Sequence, residues 1–416
     1  MVGADRDGAL RVEGVLLAEV ARRYGTPCYV YSRATLESAF REFDGAFANV
    51  PHLTCYALKA NSNLAVLDVF ARLGSGFDVV SGGELARALA AGGDPGRIVF
   101  SGVGKTEDEL RQGLELGILC FNVESASELE HLDRLAGRLG KKAPLSFRVN
   151  PDVDPRTHPH ISTGLKENKF GVGFEEALPL YLRAAKMANI RLTGIDMHIG
   201  SQITALEPYR EAAAKLLRLV DALAEVGIRM QHIDFGGGLG IRYRDETPPS
   251  LAEYSAAILA LVRGRPESLL LEPGRRLTAN AGLLLTRVTY LKPGQERSFA
   301  VVDAAMNDLL RPALYDAWHE VRPVQPRREP KRLWQIVGPI CESADFLALD
   351  RELALAEGDL LALLSAGAYS MSMSSNYNSR PRAAEVIVDG ETTHLVRARE
   401  TIPQLFASES RLPPSR

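Results

Sequence analysis

Cysteine is scarce in this chain, with four residues among 416: Cys28, Cys55, Cys120 and Cys341. They have neither the paired spacing of a zinc site nor the density of a disulfide-stapled secreted domain, so no metal is expected and a reducing cytoplasm is the expected setting. Excess charge is lacking as well. The 49 Lys and Arg nearly balance the 52 Asp and Glu, and a net charge of −3 offers no electrostatic footprint for nucleic acid or an acidic membrane. No apolar run reaches the roughly 18 residues of a membrane helix. The start, Met1-Val2-Gly3-Ala4-Asp5-Arg6-Asp7, is polar and has no signal-like apolar region behind it. What is present is the balance of a globular enzyme, 46% hydrophobic and 24% charged. The length is too great for one ordinary core, so a large domain with a smaller companion is expected.

A repeating unit fills the first two-thirds. Short β-prone apolar segments recur at Leu53–Ala60, Phe77–Ser81, Ile98–Gly102, Leu119–Glu124, Leu145–Asn150, Gly194–Gly200, His232–Gly237 and Leu269–Pro273. Between them lie Ala/Leu/Glu/Arg-rich stretches of helical period, such as Gly83–Ala91, Ser127–Gly137 and Pro208–Val226. Eight strands alternating with helices predict an α/β fold, either a closed (β/α)8 TIM barrel or an open doubly wound sheet. Polar residues at the strand ends favour closure, because Lys59, Asp78, Ser101, Asn122, Arg148, His198, Gly236 and Glu272 would all face the C-terminal rim, where barrel enzymes keep their chemistry. After about Ala279 the pattern becomes mostly β, with strands expected at Leu283–Leu291, Ser298–Val302, Leu333–Val337, Asp359–Leu364 and Ala384–Val388, and one helix at Asp308–Ala317. The β-like Cys28–Tyr31 segment can join that second domain, giving expected domains of 33–279 for the barrel and 1–32 plus 280–416 for a β-barrel- or sandwich-like unit. Arg322–Arg332 reads as an exposed loop and Ser408–Arg416 as a disordered end.

Five groups could carry chemistry. Lys59, in Tyr56–Asn63, would be only partly solvated in a barrel mouth and could serve as a Schiff-base nucleophile, although a single strand-end lysine is commonly just solvated. In Asp234-Phe235-Gly236-Gly237-Gly238, the glycines let backbone amides approach an anion, or simply make a tight turn. Glu272-Pro273-Gly274-Arg275 pairs a carboxylate able to hold a protonated pyridine nitrogen with a guanidinium fork for phosphate or carboxylate; the alternative is a structural ion pair between them. His198 could stack on a cofactor ring while Ser201 donates to phosphate, or it could be a core histidine. In the second domain, Arg311 and Tyr315 stand i,i+4 and can reach one carboxylate, and Cys341 beside Glu342 suggests a proton-donating thiol or else a small buried hydrophobe. Tyr369 follows in Gly367-Ala368-Tyr369.

Taken together and in order, these motifs resemble the fold-type III pyridoxal-phosphate enzymes, which join an alanine-racemase-like barrel to a β domain. Within that group the chain is most similar to the diaminopimelate decarboxylases, over roughly Gly25 to Val388. Thr163–Gly171, His198–Gln202, Glu272–Arg275, Cys341–Ser343 and Met373–Arg382 carry the likeness. The resemblance implies pyridoxal 5'-phosphate attached to Lys59, with Glu272 at its ring nitrogen and His198 stacked on the ring. It further implies a phosphate lying near Ser201, Gly236–Gly238 and Pro273-Gly274-Arg275, with Tyr369 also touching the cofactor. Arg275, Arg311, Tyr315 and Tyr369 would bind substrate, Glu342 would read the distal amino group, and Cys341 would donate the proton. In that family Cys341 and Glu342 come from the neighbouring subunit, implying a homodimer with shared sites. Ala344 stands where the family commonly has glycine.

The reaction implied is decarboxylation of meso-2,6-diaminopimelate to L-lysine and CO2, the last step of lysine biosynthesis. A related decarboxylase of ornithine, arginine, lysine or carboxynorspermidine would need different distal readers, because those substrates lack the second zwitterion. A racemase of the same fold gains from a less electron-withdrawing ring, which Glu272 opposes. A non-catalytic pyridoxal-phosphate-binding protein would generally lack the β domain.

Overall fold

The computed structural model describes residues 2–155, 157–158, 161–165 and 167–414; Lys166 of the Thr163–Gly171 motif and the last two residues lie outside the described residues. The chain divides into two compact units, Leu36–Thr278 and a second made from Met1–Thr35 with Ala279–Arg416.

The first unit is a closed barrel of eight parallel strands: His52–Ala57, Gly76–Val79, Ile98–Phe100, Cys120–Val123, Ala143–Asn150, Ile190–Asp196, His232–Asp234 and Ser268–Leu271. Each pairs with the next, and the eighth pairs with the first through Leu269–His52, Leu270–Leu53 and Leu271–Thr54, which closes the ring. The short segment Val172–Gly173 adds a parallel ladder beside the fifth strand. Strand residues are buried with little alternation, as expected where helices cover the outside and side chains fill the inside. Cys55, Val99 and Leu270 form one interior layer with Leu53 and Leu119. Burial pushes the Cys55 thiol well above its usual range, so it acts there as a small hydrophobe.

Five of the βα helices start at residues whose side chains cap them. Asn63, Ser81 and Ser125 accept from amides of the first turn, and Thr106–Glu109 and Ser250–Glu253 form reciprocal capping boxes. Glu109 also accepts from Gly82 N at 2.7 Å, which ties one βα unit to its neighbour.

In the second unit, the long strand Gly282–Lys292 pairs antiparallel with Cys28–Ser32, Phe299–Val302 and Leu360–Leu363. Cys28–Ser32 in turn runs parallel to Ala384–Asp389, so the early segment completes a sheet otherwise built from the C-terminal third. Val12, Leu17, Val30, Leu283, Leu285 and Val386 pack its core.

Several boundaries differ from the sequence expectation. The β-prone segments ran past the strand ends. The first strand stops at Ala57, whose amide turns to Pro273 O, and Leu58–Ala60 forms a single 3-10 turn that carries Lys59. The expected helix Asp308–Ala317 shrinks to Arg311–Tyr315. The Asp308 side chain accepts from Ala305 N, which holds a turn at the N-terminal side, and Asp316 ends the helix in left-handed backbone. The expected loop Arg322–Arg332 begins inside a short strand, Val321–Pro323, paired with Leu361–Leu363. Phe346–Leu353 and Thr392–Arg397 are further strands that the pattern did not reveal, since their exposed faces break apolar alternation. Residues 408–414 contain no helix or strand.

One hydroxyl keys two barrel strands. Tyr181, fully buried on helix Phe174–Ala184, accepts from Phe147 N at 3.1 Å and donates to Gly194 O at 2.8 Å, beside a register shift in the sixth strand. A side chain at position 194 would lie 2.0 Å from His232 Nε2, so that strand needs glycine there. Tyr181→Phe leaves both backbone groups buried without their partner. It is expected to cost about 1–3 kcal/mol, measured as a lower denaturation midpoint at unchanged denaturant slope.

Candidate active site

The C-terminal rim of the barrel gathers charged residues from all sides. Lys59 Nζ donates to Asp78 Oδ2 at 2.9 Å, with Asp78 wholly buried at the end of the second strand and its Oδ1 without a partner. The lysine is therefore a held amine rather than a freely solvated one. Nearby Glu84 accepts from Val80 N, and burial pushes its carboxyl up to about 7. Arg148 donates to Glu124 Oε1 at 3.3 Å and to His198 O at 3.5 Å, and its guanidinium lies 4.9 Å from the centre of the Phe170 ring. Glu124 is fixed in turn by the amides of Gly102 and Gly171.

His198, just beyond the sixth strand, accepts from Gly237 N at its Nδ1, 3.2 Å away. Desolvation pushes its pKa well below the usual value, and the charges of Lys59 and Arg148 add to this, so the ring is neutral with its hydrogen on Nε2. His198 is half-buried at the rim rather than sealed within the barrel.

The glycine turn is dictated by close backbone approach. A Cβ at Gly237 would lie 2.1 Å from Glu272 O, and one at Gly238 would lie 2.4 Å from Gly200 O. Gly236 N donates to Asp234 Oδ1 and Gly236 O accepts from Glu272 N, both at 2.8 Å. The Gly236 and Gly237 amides are thus already committed, the first to Asp234 and the second to His198. The turn wedges between the exits of strands six and eight.

Glu272 is 4% exposed, and its Oε1 has no hydrogen-bond partner. Its carboxyl, with those of Asp196 and Asp234 at the ends of strands six and seven, forms a buried trio whose nearest oxygens lie within 4.8 Å of one another. Burial raises Glu272 well above the carboxylate range and Asp234 raises it further, while Lys59 pulls it down. Lys59 and Glu272 therefore share one electrostatic environment. Arg275, also buried, donates to Ser201 Oγ at 3.0 Å and to Tyr243 OH at 2.7 Å. Its fork thus has two neutral partners from the rim loops. Pro273 O receives the Ala57 amide, and Gly274 O receives the Leu277 amide of the next turn.

In the second unit Arg311 is buried, and its Nη1 donates to His319 Nε2 at 2.8 Å. His319 Nδ1 lies 2.8 Å from Leu364 O. A carbonyl can only accept and a guanidinium can only donate, which fixes a neutral Nδ1–H tautomer. Tyr315 closes the same short helix. Cys341 is exposed, so the buried-hydrophobe alternative fails. Its amide donates to Asn378 Oδ1, and Glu342 accepts from Tyr377 OH at 3.3 Å. Buried Asp345 receives the amides of Met306 and Ile340, anchoring the turn that presents both. Tyr369 has left-handed backbone, φ +54, a conformation costly for a non-glycine residue and concentrated at functional sites.

Asp196, Tyr243 and His319 had no sequence signal for a site role, Asp78 and Arg148 were visible only as polar residues at strand ends, and Asp234 only as the residue that opens the glycine motif. The barrel residues suit a pyridoxal cofactor: a held amine, a neutral imidazole, and a buried carboxyl with a free oxygen, all on one rim.

Comparison with known proteins agrees. The family model of the pyridoxal-dependent decarboxylases, pyridoxal binding domain, matches residues 33–279. Diaminopimelate decarboxylase of Pseudomonas aeruginosa is 61% identical over 408 residues, 98% of each chain. The crystal structure of diaminopimelate decarboxylase from Helicobacter pylori complexed with L-lysine is 44% identical, with TM-score 0.92 over 94% of this chain and 99% of that one. The enzyme from M. jannaschii, also in complex with L-lysine, is 38% identical, with TM-score 0.95 over 99% and 98%. The chain belongs to the diaminopimelate decarboxylase family of pyridoxal-dependent decarboxylases.

Proposed function

We propose that this protein is a pyridoxal-phosphate-dependent decarboxylase that converts meso-2,6-diaminopimelate to L-lysine and CO2. The observation that carries the chemistry is the buried Glu272 carboxyl, whose Oε1 has no hydrogen-bond partner among the described residues, on the same rim as the Asp78-held Lys59. Relatives up to 61% identical over nearly the whole length support the substrate. Pyridoxal 5'-phosphate, when bound, supplies an electron sink for the carbanion left by departing CO2.

The chain's own residues do the rest. Lys59 offers the amine for covalent attachment, and Asp78 holds that amine. Glu272 presents a carboxylate to the ring nitrogen, and neutral His198 offers a flat face for stacking. Ser201, the Gly238 end of the Gly236–Gly238 turn, Pro273-Gly274 and Arg275 hold the phosphate, with Tyr369 as a further contact and the Gly236 and Gly237 amides fixing the turn through Asp234 and His198. Arg275, Arg311 and Tyr315 bind substrate carboxylate, and Tyr369 adds to the substrate site. Glu342 reads the distal amino group, and Cys341 Sγ gives the proton that replaces CO2. The two charged ends of the substrate need two sets of readers, and Arg311 with Glu342 meets that need. Residues 33–279 act as the cofactor-binding domain, and 1–32 with 280–416 contribute substrate and dimer contacts. Cys341 and Glu342, both exposed, act in the site of a second copy, making the working unit a homodimer of the reducing cytoplasm. Among the described residues no helix is long and apolar enough to cross a membrane.

Chirality-resolved product analysis after incubation with meso-diaminopimelate is the direct test. Release of L-lysine and CO2 is expected, and ornithine preferred over diaminopimelate would redirect the assignment. Lys59→Ala is expected to abolish the visible absorption band of the bound cofactor. Cys341→Ala should lower turnover on the order of 10²-fold with cofactor affinity little changed. Co-expressing the Lys59→Ala and Cys341→Ala chains should restore activity to about a quarter of wild type, since half the dimers then hold one intact site. No recovery would argue against shared sites.

A further inference from the structure

The charged side chains around the barrel's inner rim do not balance. Two cations are paired, Lys59 with Asp78 and Arg148 with Glu124, and a third, Arg275, donates to Ser201 and Tyr243. His198 is neutral. The trio Asp196, Asp234 and Glu272 is left over, its nearest oxygens within 4.8 Å of one another, each residue at most 4% exposed. One oxygen of each has no hydrogen-bond partner: Asp196 Oδ1, Asp234 Oδ2 and Glu272 Oε1. Apart from those carboxyls, the titratable groups acting on Asp234 or acted on by it are Asp78, Lys59 and the buried Cys55, Cys120 and Tyr254. Arg148 and Glu124 act on the trio through Asp196. Burial pushes the thiols and the phenol upward, so none of them brings a compensating positive charge.

Three adjacent buried carboxylates whose nearest cations, Lys59 and Arg148, are already paired with Asp78 and Glu124 are too costly to ionise together, so the trio must hold protons. Asp234 ends the strand between those of Asp196 and Glu272, so a proton on it lies beside both. The Gly236 amide on its Oδ1 by itself favours the ionised form, and Oδ2 is the oxygen left to carry a hydrogen. We propose that Asp234 is a positioning residue that keeps a proton beside Glu272. As a neutral acid it holds the glycine turn through one oxygen and donates toward Glu272 from the other, so that the trio's negative charge resides on the carboxylate facing the cofactor ring. This rests on reading Glu272 as the partner of the ring nitrogen. A cationic ring opposite Glu272 would favour that placement, drawing the charge to the nearest carboxyl and leaving the proton one residue behind. Burial raises all three carboxyls, Asp234 to about 7 against the downward pull of the Gly236 amide and of a hydrogen bond with Glu272.

Asp234→Asn keeps an oxygen for Gly236 and an amide donor for Glu272 but has no proton to lose. Infrared spectra of the cofactor-loaded protein at pH 7 should show the carbonyl stretch of a protonated carboxylic acid, sensitive to deuterium exchange and diminished in Asp234→Asn. Absence of that band in wild type, or an undiminished band in the variant, overturns the proposal. A second measurement uses the cofactor-free protein. An acid whose folded pKa is raised binds more protons folded than unfolded, so its contribution to stability falls as pH rises from about 4 to about 7. The Tm of Asp234→Asn relative to wild type should therefore climb between pH 5 and pH 8, and parallel Tm curves would overturn the assignment. Metal analysis of purified wild type showing a stoichiometric divalent ion, lost in Asp234→Asn, would overturn it in favour of an ion among the three acids. Glu272→Gln separates the underlying reading: if the bound cofactor's absorption spectrum is unchanged in that variant, Glu272 is not the ring partner, whatever Asp234 does.

Discussion

Closure of the barrel between its last and first strands is the constraint on which the rim depends. Leu269, Leu270 and Leu271 register against His52, Leu53 and Thr54, and the Ala57 amide reaches past the ladder to Pro273 O. An amine more than 200 positions from a carboxyl in sequence thereby enters the same electrostatic field. An open sheet with the same eight strands would leave those two edges apart. The helix caps reinforce closure by fixing where five of the barrel helices begin.

The second constraint is burial of charge. The barrel interior is apolar in its lower layer, where Cys55 packs with Val99 and Leu270, and strongly acidic at the rim. Burying that many carboxyls for stability alone would be unfavourable, since an apolar residue of similar volume would pack without the desolvation cost. Their retention on adjacent strand ends is better understood as preparation for a cationic ligand. The paired Lys59–Asp78 and Arg148–Glu124 contacts separate the groups that must stay charged from the group whose charge can be adjusted.

Much of this was legible in the chain. Strand-end positions singled out Lys59, His198 and Glu272, because a β-prone run followed by a polar residue and a helical period locates the rim without knowledge of tertiary contacts. Local patterning does not show which rim residues meet. Asp196 and Asp234 look like ordinary strand ends, and they become neighbours of Glu272 only once three consecutive strands lie side by side. Tyr243 and His319 each meet a buried arginine across a loop, with no periodic signal to mark them. The Asp308–Ala317 helix was overextended because its composition suits a helix, while the Asp308–Ala305 turn and left-handed Asp316 confine it to five residues.

The contact from Arg311 through His319 to Leu364 O has a consequence for affinity. A long, flexible guanidinium ordinarily loses rotamer freedom when it captures an anion, at roughly 0.5–1.5 kcal/mol per immobilised side chain. Here a ring locked in a single tautomer has already oriented the fork before any ligand arrives. On the role proposed for Arg311, an incoming carboxylate meets a receptor whose ordering cost was met during folding, so a larger share of the contact energy remains to distinguish one end of a symmetric-looking molecule from the other.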